Sequence, residues 1–154
     1  MVPPNLGVSN YKKYITQTGK NYRESIKASG VKRVVNLSSI GAHLPDGTGP
    51  IAGLFHVEQT LNSLTDVAVK HLRAGIFYIN FFFAIGTIRK MGIMGNNYGE
   101  GSRLVMVHPR DIAQAAAEEL QGSFSGKSSR YIVSEECEVS QIVKELGNAI
   151  GNQT

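Results

Sequence analysis

Two adjacent serines, Ser38 and Ser39, stand where residue type and position together suggest chemistry. They follow Val34-Val35-Asn36-Leu37, a short run rich in β-branched residues that predicts a buried strand. In open α/β sheets, ligands bind beyond the carboxyl ends of the strands, so a hydroxyl placed there could hydrogen-bond a ligand carbonyl. The alternative is that both hydroxyls satisfy the turn that follows the strand. The sequence leaves these two interpretations open.

His56 is the second candidate, on a helix predicted from residue 51 to residue 64. An imidazole can act as a general acid or orient a ligand, and the alternative is a histidine satisfied in packing. Glu58 lies about 200° around the same helix, so we expect it to face away from the site of His56. His43 lies in the loop after the serines, where it could contact substrate or simply lie at the surface.

The other reactive residue types have simpler interpretations. The single cysteine, Cys137, excludes an internal disulfide, and its acidic neighbours disfavour a thiolate. The four histidines lack the spacing of metal ligands. Lysines and arginines dominate the first 33 residues, where Glu24 is the single acid. We interpret this basic stretch as a solvated helix face rather than a nucleic-acid surface.

The elements that position these residues follow from hydrophobic periodicity. Helices are predicted at 11–29, capped by Ser9 or Asn10 and ended by Gly30, and then at 51–64 and 77–90. Two more are predicted at 112–120, capped by Asp111, and around residues 142–150. Strands are predicted at 31–39, 67–72, 103–107 and 130–133. Such alternation predicts an α/β fold with a mainly parallel sheet.

Length and composition set the class of protein. A chain of 154 residues predicts a single domain, 1–154, with one modest core. The N-terminus resembles no secretory signal, and the most apolar stretch, 74–88, is shorter than the ~20 residues of a membrane-spanning helix. Together with the lone cysteine, these features lead us to expect a cytoplasmic protein with neither a membrane nor a nucleic-acid partner.

Several strings, in this order and at this spacing, resemble the NmrA-like family, an atypical branch of the short-chain dehydrogenase/reductase superfamily. They cover nearly the whole chain, which is similar to the central half of a typical member. The resemblance implies part of a doubly wound, Rossmann-like sheet. The strings are Pro3-Pro4-Asn5, Gly30-Val31-Lys32-Arg33-Val34-Val35, Leu37-Ser38-Ser39-Ile40-Gly41-Ala42-His43, His56-Val57-Glu58-Gln59, Leu72-Arg73-Ala74-Gly75-Ile76-Phe77-Tyr78-Ile79-Asn80-Phe81 and Val107-His108-Pro109-Arg110-Asp111-Ile112-Ala113.

This resemblance implies NADP or NAD and a small-molecule acceptor as ligands of the complete parent protein. It implies catalytic roles for Ser39 and His56. The implied substrate residues are His43, Tyr78 and Asn80, and the implied cofactor-binding residues are Pro3, Pro4, Asn5, Leu37, Ser38, Ser39, Ala74, Gly75 and Ile76. The family usually has proline where Ala74 stands. Gly75 would let the backbone approach a nicotinamide, or it would only serve the turn.

The family's phosphate-binding turn is missing from this sequence. Members begin with a strand and a glycine-rich turn that places the pyrophosphate at a helix N-terminus, and Met1 falls where the fourth strand should end. The segment 47–53 is glycine-rich, but its third glycine is displaced by one and Pro50 removes an N–H donor. We therefore expect weak or absent dinucleotide binding by this chain alone.

The superfamily's tyrosine and lysine, four residues apart, are also absent. The six tyrosines are followed four residues later by Ile15, Thr18, Ile26, Phe82, Ser102 and Glu135. Three interpretations therefore stay open. The parent protein is an NAD(P)H-dependent oxidoreductase similar to quinone and azo-dye reductases, it is a non-catalytic dinucleotide-sensing regulatory protein, or the chain is a truncated scaffold that binds no cofactor.

The strand predicted at residues 31–37 also has a physical consequence. Without the preceding strands of the family pattern, it would lie at an exposed apolar sheet edge, and such edges pair with other chains. We therefore expect self-association of this chain through that edge.

Overall fold

The computed structural model describes residues 1–5, 7–95, 98–99 and 101–151 and shows an α/β protein. Its helices are α1 (Tyr11–Ser29), α2 (Ala52–Asn62), α3 (Ile85–Met91), α4 (Pro109–Gln121) and α5 (Val139–Ala149), with 3₁₀ helices at Gly49–Ile51 and Tyr78–Ala84. Its strands are β1 (Arg33–Ser39), β2 (Ala68–Ala74), β3 (Ile76–Phe77), β4 (Arg103–Val107), β5 (Lys127–Ile132) and β6 (Glu135–Glu138). The predicted α/β class is confirmed. None of the described helices is long and apolar enough to span a membrane.

Contacts divide the chain into two compact units, of which the first contains residues 1–74 and 113–132. Its sheet has three parallel strands in the order β1-β2-β5. Arg33 pairs with Ala68 and Ser39 pairs with Ala74, so β1 and β2 begin and end together. Among the described strands, β1 has a neighbour on one side only, as the sequence predicted for this edge.

The core of the first unit lies where α1 and α2 meet β2. Its buried members are Ile15, Val57, Leu61, Leu64, Val67 and Val69. Two glycines set how closely the two helices approach. A Cβ added to Gly53 would lie 2.9 Å from the Cβ of Ile15, and one added to Gly19 would lie 3.0 Å from Val57 Cγ2. Any larger side chain at these positions would push the helices apart, since protein interiors are close-packed.

Helix α1 begins and ends as its sequence predicts. Of the two candidate caps, Asn10 is the one observed, and its side chain accepts a hydrogen bond of 2.8 Å from the Lys13 N–H. This bond satisfies one of the amide groups that lack a partner at a helix N-terminus. At the other end, Gly30 adopts φ 69°, a left-handed conformation that glycine reaches without steric cost.

The second unit contains residues 75–112 and the chain from residue 133 onward. Its sheet has the order β3-β4-β6, in which β3 runs parallel and β6 antiparallel to β4. The largest fully buried side chains of this unit are Ile88, Met106 and Val107. The described structure thus adds an antiparallel pair that the sequence did not predict.

Two local predictions differ from the structure, and one strand was not predicted. Asp111 does not cap α4, because the helix begins at Pro109 and Asp111 lies in its first turn, where it accepts a hydrogen bond from Ser134 Oγ. Proline favours a first helical position, since its missing N–H costs nothing there. The segment 77–90 is not one α-helix, but a 3₁₀ helix followed by α3. Strand β6, Glu135-Glu136-Cys137-Glu138, has no apolar alternation that could reveal it.

Candidate functional site

Ser38 lies at the carboxyl end of β1 and is buried. Its Oγ donates a hydrogen bond of 2.6 Å to Oε1 of Glu58, which comes from α2 and is 2% exposed. A carboxylate removed from water in this way requires compensating donors. The Ser38 hydroxyl is one of those donors, so its first role is to satisfy a buried charge.

Arg73 supplies the remaining donors to Glu58. It lies on β2, paired in register with Ser38, and its Nη2 donates to Glu58 Oε2 at 2.6 Å while Nε donates to Oε1 at 3.1 Å. Its Nη1 donates to the Tyr131 hydroxyl on β5 at 3.0 Å. The hydrogen bonds to Glu58 raise the pKa of Arg73, with a smaller contribution from Tyr131. One ion pair and two hydrogen bonds, from Ser38 to Glu58 and from Arg73 to Tyr131, therefore connect the ends of three neighbouring strands to α2.

Ser39, Leu37 and Ala74 lie at the same edge of the first sheet. Ser39 pairs with Ala74, and the next amide, Ile40 N–H, donates to the Ala74 carbonyl at 2.8 Å. The Ser39 Oγ donates to the Ile40 carbonyl at 3.1 Å, which is the turn contact that the second interpretation expected. The Ser39 oxygen keeps its capacity to accept a hydrogen bond. Leu37 is half-buried and Ala74 is buried.

The two histidine candidates of the first unit differ in exposure. His56 is half-buried on α2, with its ring edge-on to Phe55 at a centroid distance of 5.4 Å. His43 is exposed in the loop after β1. The structure therefore gives His56 a fixed packing partner, as the interpretation of a packed histidine expected.

The segment Pro3-Pro4-Asn5 lies exposed against α1. The Pro3 carbonyl accepts a hydrogen bond of 3.0 Å from the Tyr14 hydroxyl, and the Met1 carbonyl accepts one of 2.9 Å from Tyr22. Asn5 Oδ1 accepts a hydrogen bond of 3.3 Å from the Gly7 N–H. Two tyrosines of α1 thus fix the path of this segment.

A second buried polar group lies deeper in the same sheet. His71 of β2 is 2% exposed, its Nδ1 lies 3.1 Å from Asn36 Nδ2, and its Nε2 lies 2.9 Å from Asn62 Oδ1. Since Asn36 offers an amide donor and Asn62 an oxygen, these contacts assign the neutral Nε2–H tautomer. Burial lowers the pKa of His71, which agrees with a neutral ring. This arrangement is structural, because both ring nitrogens of the buried His71 are bound by amide side chains.

Gly75 and Ile76 begin the second unit, beside β4. A Cβ on Gly75 would lie 2.4 Å from the Val105 carbonyl oxygen and 3.1 Å from its carbon. The backbone of β4 therefore occupies the space that a side chain would need. Ile76 pairs with Met106 in the short β3–β4 ladder and is half-buried. The absence of a side chain at Gly75 is required by this strand contact, whatever else binds nearby.

Tyr78 and Asn80 also belong to the second unit. The Tyr78 hydroxyl donates to the Glu135 carboxylate, and its ring lies 6.3 Å from that of His108. Burial and then the Glu135 hydrogen bond raise the pKa of Tyr78, so the phenol keeps its proton at neutral pH. Asn80 is exposed.

The glycine-rich segment 47–53 does not form a phosphate cradle of the Rossmann type. It follows a loop of several residues rather than a strand, and it forms the 3₁₀ helix Gly49–Ile51 before α2 begins. Such a cradle needs a strand that passes through a tight turn directly into a helix N-terminus. The buried Thr48 Oγ1 has no described hydrogen-bond partner.

Three residues described above, Glu58, Arg73 and His71, were not predicted from the sequence to take part in this site, although a signal for each was present. Glu58 follows Leu54 by four residues and precedes Leu61 by three, so it lies on the inner stripe of α2. Arg73 and His71 occur in β2, in which Val69, Leu72 and Ala74 are buried, and a polar group in such a strand must have a partner.

Comparisons with known proteins yield similar folds. No family model and no curated protein matches the chain. DesIV, a dTDP-glucose 4,6-dehydratase from Streptomyces venezuelae solved with NAD and TYD, aligns with a TM-score of 0.78 at 17% identity over 99% of this chain and 56% of DesIV. MoeE5 in complex with UDP-glucuronic acid and NAD aligns with a TM-score of 0.76 at 18% identity over 94% of this chain and 58% of MoeE5. WbmG from Bordetella bronchiseptica in complex with NAD aligns with a TM-score of 0.70 at 15% identity over 98% of this chain and 55% of WbmG.

These likenesses show that the fold is Rossmann-like. The chain spans between half and two thirds of the length of each of these proteins. A shared fold carries many functions, so the activity must be argued from the site.

Proposed function

We propose that this chain forms the nicotinamide side of an NAD(P)-binding oxidoreductase domain. The observation that carries the proposal is the edge where β1 and β2 end in register, with Ser39 beside Ala74 and both strands fixed by the Glu58–Arg73 ion pair. Ligands of open parallel sheets bind at this edge. The NAD complexes of the similar structures support the choice of cofactor.

The described residues offer contacts that suit the nicotinamide half of a dinucleotide. Ser39 offers a hydroxyl at the strand end, Leu37 and Ala74 offer apolar surface, and Pro3-Pro4-Asn5 lies on α1 of the same unit. For the pyrophosphate half, the described residues (1–5, 7–95, 98–99 and 101–151) contain no strand, glycine turn and helix in direct succession. We therefore assign the phosphate contacts of the functional protein to residues outside this chain.

Within that class, we propose an NmrA-like protein whose parent is a quinone or azo-dye reductase. The ordered strings from Pro3 to Ala113 support this finer assignment. A bound nicotinamide supplies hydride chemistry, and the protein's task is then to orient it and to exclude water. Ser39 would orient the ring or an acceptor carbonyl, and His56 would hold a proton near the edge of the sheet.

The test is calorimetric titration of NADH and NADPH into the 154-residue chain and into a fusion with a family-type N-terminal half. We expect binding by the fusion alone and weaker binding after Ser39→Ala. Ser63→Ala is the matched control, because Ser63 is an exposed residue whose hydroxyl donates to the Thr60 carbonyl. If neither protein binds, the chain is a scaffold without a cofactor. Micromolar binding by the 154-residue chain alone would contradict the assignment of the phosphate contacts to residues outside this chain.

A second candidate is a dinucleotide sensor without turnover. Two observations favour it: the Ser38 hydroxyl is committed to Glu58, and no tyrosine has a lysine four residues later. The fusion protein separates the two candidates if it binds NADPH. Oxidation of NADPH in the presence of a quinone identifies the reductase, whereas binding without turnover identifies the sensor.

A further inference from the structure

A cavity of about 520 Å³ lies in the second unit, between the 3₁₀ helix Tyr78–Ala84, β6 and α5. Its apolar lining comes from Phe81 and Phe82 on one side and from Ile142 and Leu146 on the other. Cavities that hold small organic ligands have volumes of roughly 300–1,000 Å³ and are lined mainly by apolar and aromatic side chains. The size and lining therefore fit a small, flat organic molecule.

The charged residues of the lining are mostly acidic. Three carboxylates, Glu135, Glu136 and Glu145, face one ammonium group, Lys144. Glu136 is paired with Arg103, whose Nε lies 3.0 Å from its Oε1. Among the described side chains, none forms an ion pair with Glu145 or Lys144. The lining therefore carries an excess of negative charge.

The other polar residues of the lining, Tyr78, Cys137 and Gln141, are neutral. Burial raises the pKa of the Cys137 thiol, and burial together with Glu135 raises the pKa of the Tyr78 phenol. Both groups thus keep their protons at neutral pH. Neither group adds a charge that could offset the carboxylates, and the Tyr78 hydroxyl already donates its hydrogen bond to Glu135.

We propose that this cavity binds an organic cation, namely a flat aromatic ligand that carries a protonated amine. The ring would pack against Phe81 and Phe82, and the ammonium group would lie near Glu135 and Glu145. The same carboxylates disfavour phosphate, so this cavity rejects nucleoside diphosphates such as those in the similar structures. The proposal does not rest on dinucleotide binding, because none of the residues that line the cavity is among those assigned to the cofactor.

Three probes of one shape test the charge preference. 1-Naphthylmethylamine is a cation at neutral pH, 1-naphthylmethanol is neutral and 1-naphthoate is an anion. The chain contains no tryptophan, so naphthalene fluorescence anisotropy reports binding without tryptophan emission in the background. We expect the amine to bind the 154-residue chain at least about ten-fold more tightly than the carboxylate, with the alcohol between them. Added salt should weaken the binding of the amine more than that of the alcohol.

Two variants assign the binding to this cavity. The double variant Glu135→Gln/Glu145→Gln should remove most of the preference for the amine and leave the affinity for the alcohol nearly unchanged. Phe82→Ala should weaken binding of all three probes, and because Phe82 is 60% exposed its loss should leave the unit folded. Glu24→Gln is the matched control, since it removes an exposed carboxylate from α1 in the first unit.

Equal binding of the carboxylate and the amine would overturn the proposal, as would no binding of the amine at millimolar concentration. A preference for the amine that survives the double variant would place the site elsewhere and also overturn it. Circular dichroism of each variant separates loss of the site from loss of the fold. Failure of the dinucleotide titration leaves these outcomes unaffected, since no nucleotide is present in this experiment.

Discussion

Glu58 and Arg73 form a two-point ion pair that joins α2 to the first sheet. Arg73 Nη2 lies 2.6 Å from Glu58 Oε2 and Arg73 Nε lies 3.1 Å from Oε1, which also accepts the Ser38 hydroxyl. Both side chains are largely removed from solvent. Each charge compensates for the desolvation of the other, because an unpaired charge in this buried environment would be strongly unfavourable.

Removal of one member of this pair should therefore destabilise the protein strongly. We expect Glu58→Ala to lower the free energy of unfolding by about 3–5 kcal/mol, because it leaves the buried Arg73 guanidinium without its partner. Urea denaturation measures this change. Glu118→Ala is the control, since the Glu118–Arg130 pair is exposed and its loss should change the midpoint little. A similar midpoint for both variants would contradict the role assigned to Glu58.

The apolar double variant Glu58→Leu/Arg73→Met distinguishes a lost pair from lost packing. Because it removes both charges together, it should recover much of the stability that Glu58→Ala loses. A double variant no more stable than Glu58→Ala would show that shape, rather than charge, sets the cost.

The buried His71 predicts a loss of stability at mildly acidic pH. Burial lowers its pKa in the folded state below the ordinary value of 6.5, so the unfolded chain binds the proton more readily. This contribution to stability is complete above pH 6.5 and is lost as the pH falls toward the folded value. The slope for one proton is at most about 1.4 kcal/mol per pH unit.

Urea denaturation between pH 7.5 and pH 5 measures that slope. His71→Gln should flatten the profile in this window, whereas His43→Gln, which changes an exposed histidine, should leave it unchanged. An unchanged slope in His71→Gln would show that other groups titrate there.

A methyl group at position 75 should disturb the β3–β4 contact. The Val105 carbonyl oxygen would lie 2.4 Å from the new Cβ in Gly75→Ala, so the backbone must shift. We expect destabilisation of about 1–3 kcal/mol, the usual cost of overpacking. Gly86→Ala is the control, because no atom lies within 4 Å of its added Cβ, and it should stabilise α3 by up to about 1 kcal/mol. Thermal unfolding compares the two, and a harmless Gly75→Ala would contradict the close approach.

We also propose that the chain associates with itself through the open side of β1. Sedimentation velocity should show a larger species that grows with protein concentration, since an unpaired strand edge attracts other strands. Val35→Lys in β1 should shift the distribution toward the monomer. Val31→Lys adds the same charge to an exposed position before the strand and serves as the control. A wild-type chain that remains monomeric across the concentration range would refute the proposal.

The long elements could be predicted from sequence because each has a clear period. Helix α1 and strand β4 show this well, and β4 was predicted with its observed bounds. Strands β3 and β6 could not be predicted, because the first has two residues and the second is acidic. Such strands form where tertiary contacts provide a partner, and local preference does not reveal them.

The candidate site could be predicted only in part. The position of Ser38 and Ser39 follows from the rule that polar residues at strand ends face a ligand edge. The contact between Ser38 and Glu58 depends on how α2 lies over β1, and no local pattern encodes that. A helical wheel shows that Glu58 and His56 lie on different faces of α2. It does not show which residues of the sheet pack against the face of Glu58.

The pairing of Asn36 with His71 also selects the alignment of β1 with β2. Both residues are buried and directly opposite in the parallel ladder. A slip by two residues would preserve the alternation of faces but place Asn36 opposite Val69 or Arg73. The hydrogen bond between Asn36 and His71 would then be lost inside the sheet. The backbone hydrogen bonds are the same in either alignment, so they would not compensate for this cost. These two buried polar side chains thus favour the observed alignment of β1 with β2 over its neighbours.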